Sequence, residues 1–146
     1  MIRRTLPLAL LLSAALGAQD APLRCAAAEL ASHPLAFDGL QVSILKLRGD
    51  ASLGRREVVL SVRNPTQGML PFAGEDLAIV GAGGAQSALC GWSESYPAFS
   101  VRHTGPADRL RIAPGAATEL TFYLERAVKL PAKLYLGGRL VAEISG

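Results

Sequence analysis

A chain of 146 residues, 50% hydrophobic and 18% charged, has the length of one domain and the composition of a folded one, which excludes an intrinsically disordered tail. Its formal net charge is +3, with 15 basic residues against 12 acidic. The arginines are scattered through the sequence instead of clustered, so nucleic acid is set aside as a partner even though the sequence pI is about 9.2.

Residues 1–18 hold Arg3 and Arg4, the apolar run Leu6 to Leu12, and then small residues up to Ala18. This is the three-part order of a cleavable signal peptide, with cleavage expected near Gly17 or Ala18. The run falls short of the roughly 20 apolar residues that cross about 30 Å of hydrocarbon, so no membrane span is expected in the mature form. No cysteine stands at the cleavage point, which argues against a lipid anchor. The protein is therefore expected to be exported, to a periplasm or to the extracellular space. Losing Arg3 and Arg4 leaves 13 basic residues against 12 acidic, a mature charge of about +1.

Segment 19–39 contains Cys25, and Cys90 follows 65 residues later. In an oxidising compartment the pair is expected to form a disulfide that tethers the N-terminal segment to a β-domain spanning 40–146. Closing that loop would stabilise the fold by about 4 kcal/mol on a chain-entropy model. Cys25 to Ala31 is the one stretch after the signal with a helical aspect, and it is too short to form a stable helix alone.

From Leu40 the pattern alternates apolar and polar. Leu40, Val42 and Ile44 share a face, and Leu45 and Leu47 continue on the opposite phase, which predicts a bulge near Ile44. Val58, Leu60 and Val62 point inward from the next strand, which stops at the turn cluster Asn64-Pro65-Thr66-Gln67-Gly68. Leu77 to Val80 and Gln86 to Cys90 form a hairpin about Gly81-Ala82-Gly83-Gly84, and Gly91 to Pro106 shows no clear period. Pro114 and Gly115 suit the centre of a type II turn between Arg109–Ile112 and Thr118–Glu125, with Leu120, Phe122 and Leu124 in the core. Gly137-Gly138 joins Lys133–Leu136 to Arg139–Ile144 in a tight hairpin. About eight strands separated by turns imply an all-β, two-sheet antiparallel sandwich.

The run Val58 to Pro65, then Leu77-Ala78-Ile79-Val80, then Leu110 to Gly115 with Leu120-Thr121-Phe122, and finally Leu134-Tyr135-Leu136 resembles the immunoglobulin-like domain of unknown function found in small bacterial secreted proteins and lipoproteins. The resemblance spans roughly Leu40 to Leu136 and implies an immunoglobulin-like fold and an export route. It brings no catalytic residues. The Gly-rich hairpin and the missing lipobox depart from that pattern.

Chemistry-bearing motifs fail on context. The glycines at 81, 83 and 84 follow a strand, but Gln86 and Pro97 leave no helix to receive a pyrophosphate. Gly91-Trp92-Ser93-Glu94-Ser95 begins like a nucleophile elbow and lacks its last glycine, while His33 and His103 are the only histidines to serve as a base. Met69, the histidines and the cysteines do not cluster as copper ligands, and Glu75-Asp76 with Asp50 or Asp108 is a thin calcium set. No cofactor, metal site or enzymatic activity is expected.

The segment Trp92 to Phe99 concentrates three of the eight aromatic residues. Trp92, Tyr96 and Phe99, with Arg102 beyond them, are the candidate binding residues, because sandwich domains bind through such loops. Trp92 has a competing role as a core residue. The expected function is a non-enzymatic module that contacts another protein or an envelope component through a loop edge. The alternatives are a secreted proteinase inhibitor and a weak metal-binding or carrier protein.

Overall fold

The computed structural model describes residues 21–50, 54–87, 89–103 and 108–146. The expected signal peptide, residues 1–18, lies outside them. The chain forms β1 (Leu23–Ala26), a 3-10 turn (Ala27–Ser32), β2 (Leu35–Phe37), β3 (Leu40–Asp50) and β4 (Gly54–Arg63). It continues with β5 (Leu70–Ala73), β6 (Leu77–Val80), β7 (Gln86–Ser87), β8 (Leu89–Ser95) and β9 (Ser100–His103). The last strands are β10 (Arg109–Ile112), β11 (Ala117–Val128), β12 (Ala132–Leu136) and β13 (Arg139–Ser145). Among the described residues no helix is long and apolar enough to cross a membrane.

The strands make a six-stranded sheet in the order β2-β3-β4-β11-β8-β9, a five-stranded sheet in the order β1-β13-β12-β6-β7, and the small pair β10-β5. The all-β sandwich is as expected. Among the described residues thirteen strands replace the expected eight or so, because β1, β2, β5 and β9 form in stretches with no clear strand pattern and the run Gln86 to Cys90 splits into β7 and β8 where the chain passes from one sheet to the other. Nor is the pairing antiparallel throughout: β1 lies parallel to β13, with Cys25 opposite Ile144.

Alternation drives the packing. Val58 and Leu60 of β4 lie opposite Phe122 and Leu120 of β11, Val62 lies opposite Thr118, and Val58, Leu60, Val62, Leu120, Phe122 and Leu124 are all buried with Val42, Ile44, Leu134, Leu136 and Ile144. The phase change in β3 is a bulge, since Ile44 pairs with Leu60 and Lys46 with Val59, leaving Leu45 unpaired between them. The Gly137-Gly138 hairpin holds as read from the sequence, with φ of 59° and 80°. A Cβ at Gly137 would sit 2.5 Å from the Phe37 ring, so no side chain fits there. Ala116 N–H donates to Ala113 O and Gly115 takes φ 77°, completing the type II turn around Pro114.

The N-terminal segment is held differently from expectation. Cys25 is a free thiol on the outer strand of the five-stranded sheet, whereas Cys90 belongs to β8 of the six-stranded sheet, its side chain lying outside the described residues. The described part of segment 19–39 is fixed by strand pairing and burial instead: β1 joins β13, β2 joins β3, and Leu30 and Phe37 enter the core.

Candidate functional site

The stretch without visible period, Gly91 to Pro106, contains a hairpin. Strands β8 and β9 pair antiparallel, with Ser95 opposite Ser100, Glu94 opposite Val101, Ser93 opposite Arg102 and Trp92 opposite His103. Tyr96-Pro97-Ala98-Phe99 is the connection, and Tyr96 N–H donates to Phe99 O at 2.9 Å. β8 also pairs with β11, setting Trp92 opposite Phe122. One face of the hairpin thus carries Trp92, Glu94 and Tyr96 on β8 and its extension, beside His103, Val101 and Phe99.

That face is graded from dry to wet. Trp92 is fully buried, stacked between His103 (centroids 4.1 Å apart) and Phe122 (5.8 Å). The backbone at Gly74 approaches so closely that a Cβ there would come within 2.8 Å of the indole. Glu94 is buried one step outward, and its carboxylate accepts from Tyr96 Oη at 2.6 Å and contacts His103 Nε2 at 2.7 Å. With Glu94 ionised, the imidazole is the donor in that second contact. His103 Nδ1 stands 3.8 Å from Asp108. At the tip Tyr96 and Phe99 stack with centroids 4.9 Å apart, 39% and 61% exposed, and Val101 is 38% exposed.

Hydrogen bonding to Glu94 is the main cause that raises the Tyr96 phenol above its ordinary range, helped by partial burial and by the carboxylate's charge.

Of the four candidate residues, Trp92 is a core residue. Tyr96, Phe99 and Arg102 are exposed; Arg102 points from β9 to the opposite face, beside Ser93. Ser93, the serine of the elbow-like motif, lies 3.4 Å from Tyr123 Oη on that opposite face, away from His103. His33 is exposed just before β2, at the other edge of the six-stranded sheet, so the two histidines share no site. Asp76 accepts from Ala73 N–H and Glu75 faces Arg109, so the acidic pair is spent on local structure. Among the described residues no three His, Cys, Asp or Glu side chains are arranged to hold a metal. The glycines at 81, 83 and 84 make a turn between β6 and β7, with a short 3-10 segment (Ala82–Gly84) in place of a phosphate-binding helix.

Sequence reasoning left out the Glu94–His103 contact. Its signal is the palindromic register about Pro97-Ala98, which sets Trp92 opposite His103 once Tyr-Pro-Ala-Phe is read as a turn.

No family model matches the chain, and no curated protein is similar to it. It is similar in structure to an uncharacterized beta-sandwich protein from Clostridium difficile 630, with a TM-score of 0.56 and 10% sequence identity, covering 86% of this chain and 95% of that one. That likeness establishes the β-sandwich fold.

Proposed function

We propose that this chain is an exported, non-enzymatic, immunoglobulin-like module that contacts another protein or an envelope component through the β8–β9 edge. The observation that carries the reading is the placement of exposed large apolar side chains. Of the four among the described residues, Tyr96, Phe99 and Val101 share one face of this hairpin, and Met69 is the fourth. Isolated exposed apolar residues need no explanation, but three adjacent ones on a supported hairpin form a patch suited to a partner. Glu94 and His103 support a non-enzymatic role, since they direct polar atoms at each other and at Tyr96 and so anchor the tip. The parallel β1–β13 pair and the β12–β13 hairpin are compatible with an immunoglobulin-like arrangement, and the tripartite stretch 1–18 supports export.

The test is capture from a solubilised envelope fraction with immobilised mature protein. Phe99→Ala should remove most of the captured partner while leaving the fold intact, because aromatic anchors dominate interfaces. Equal capture by the wild type and the variant would refute the reading.

A further inference from the structure

The β8–β9 hairpin presents an edge as well as a tip. Among the described residues β9 has a single strand neighbour, β8, and stands outermost in the six-stranded sheet. The ladder geometry says which groups face outward. Tyr96 and Phe99 are a hydrogen-bonded pair, through Tyr96 N–H to Phe99 O. Antiparallel pairs alternate between bonded and non-bonded, so Glu94/Val101 and Trp92/His103 are bonded, while Ser95/Ser100 and Ser93/Arg102 are not. The backbone N–H and C=O of Ser100 and Arg102 therefore point away from β8, toward the open side.

We infer that β9 takes up an extended peptide of alternating apolar and acidic residues by strand addition, with the backbone of Ser100 and Arg102 as its ladder. This inference rests on the edge-binding reading above and names the partner's chemistry. A strand laid against β9 continues both faces of the sheet. On one face its side chains meet Val101 and the Tyr96–Phe99 stack, which are exposed and apolar. On the other they meet Arg102, which is exposed. The complement is an apolar side chain at one parity and a carboxylate at the other. The same β9 edge of a second copy supplies no such complement, because Ser100-Val101-Arg102-His103 contains no acidic residue to set against Arg102. Shortness and the Arg102 charge are also the devices by which edge strands resist indiscriminate pairing, so a matching carboxylate is what selects the partner.

The experiment uses the mature protein and two synthetic peptides of about eight residues, strand length, one alternating valine with glutamate and one alternating valine with lysine. The glutamate peptide should bind at least about tenfold more tightly than the lysine peptide, a difference of about 1.4 kcal/mol. Its binding should protect the Ser100 and Arg102 amides from hydrogen exchange. Ser100→Pro removes an outward N–H that the hairpin itself does not use, so it should abolish peptide binding with the fold retained. Should Ser100→Pro fail to fold, Arg102→Glu decides, by inverting the preference toward the lysine peptide. Equal affinity for the two peptides, unchanged binding by Ser100→Pro, no preference change in Arg102→Glu, or the same amide protection in a peptide-free dimer would each overturn the inference. Envelope capture that falls in Phe99→Ala but persists in Ser100→Pro would overturn strand addition alone and leave the edge-binding reading standing.

Discussion

The side-chain amide of Asn64 reaches Ile112, 48 residues further along the chain, and donates to its carbonyl oxygen at 2.8 Å. The same amide donates to Gly68 O at 2.7 Å, while its Oδ1 accepts from Thr66 N–H and Thr66 Oγ1. The Asn64 backbone completes the knot, donating to Ala116 O and accepting from Gly115 N–H. One buried residue thereby fastens the exit of β4 to the turn before β11.

Replacing Asn64 with Ala leaves several of these groups without their partner in a region closed to water. The expected cost is about 2–4 kcal/mol in chemical denaturation, well above a typical surface change. Asn64→Asp should also destabilise, since it turns a donor toward two carbonyl oxygens into a carboxylate. A change below about 0.5 kcal/mol for either variant would show the knot to be dispensable.

His103→Ala removes both the ring that covers Trp92 and one partner of the buried Glu94 carboxylate. Removing a hydrogen-bond partner of a buried carboxylate is expected to cost about 1.5–3 kcal/mol. Trp92 is the sole tryptophan, so its emission reports on this packing directly and should shift to longer wavelength as the indole becomes solvated.

The raised Tyr96 phenol makes a prediction at alkaline pH. Below about pH 10, the ordinary phenol value, native and unfolded chains both keep the proton and the bond to Glu94 contributes in full. Between that value and the higher native one, the native state binds more protons than the unfolded state. Stability therefore falls as pH rises through this window. Ultraviolet difference titration of the wild type against Tyr96→Phe should show Tyr96 ionising above the ordinary phenol value, and Glu94→Gln should bring it back toward that value.

At the tip, Phe99→Ala should alter stability by no more than about 1 kcal/mol, because an exposed side chain carries little folding energy, whereas Tyr96→Ala also removes a donor to the buried Glu94 carboxylate and should cost more. A loss of several kcal/mol in Phe99→Ala, on the scale of buried phenylalanines, would make the tip an architectural element.

Burial, aided by the negative charge of Glu29, pushes the Cys25 thiol up, which lowers its thiolate fraction at neutral pH. Iodoacetamide should therefore label it more slowly than a free thiol in a peptide. Reducing agent should leave the melting temperature unchanged, and a drop of several degrees would reinstate a disulfide.

Most of the sandwich was legible because its strands obey period two with apolar residues inward, as in Val58-Leu60-Val62 and Leu120-Phe122-Leu124. Glycine pairs and Pro-Gly marked turns that only those residues can make, and the phase change at Leu45 gave away the bulge. The hairpin β8–β9 escaped because its inward positions include the acidic Glu94 and the histidine His103, which broke the apolar rhythm. Their burial is tolerable only because they meet across the hairpin, and that meeting is tertiary information. Tyr96 and Phe99 could be singled out by composition, but exposure at the tip, against full burial of Trp92, depends on where the opposing sheet ends. The cysteine pairing went astray for a similar reason, since compartment says whether thiols can join and says nothing of which sheet each strand enters.

The parallel β1–β13 ladder, with Ala26 opposite Ser145, makes the beginning of the described chain wait for its end. A ribosome delivers residues in order, so β1 emerges without its ladder partner, and none exists until β13 has followed it. Until then the five-stranded sheet lacks its border, and the core beneath it, with Ile144 still missing, stays incomplete. Closure of this sheet is thus tied to the arrival of β13, and a version cut before β13 would leave β1 without its ladder partner and expose the edge of β12.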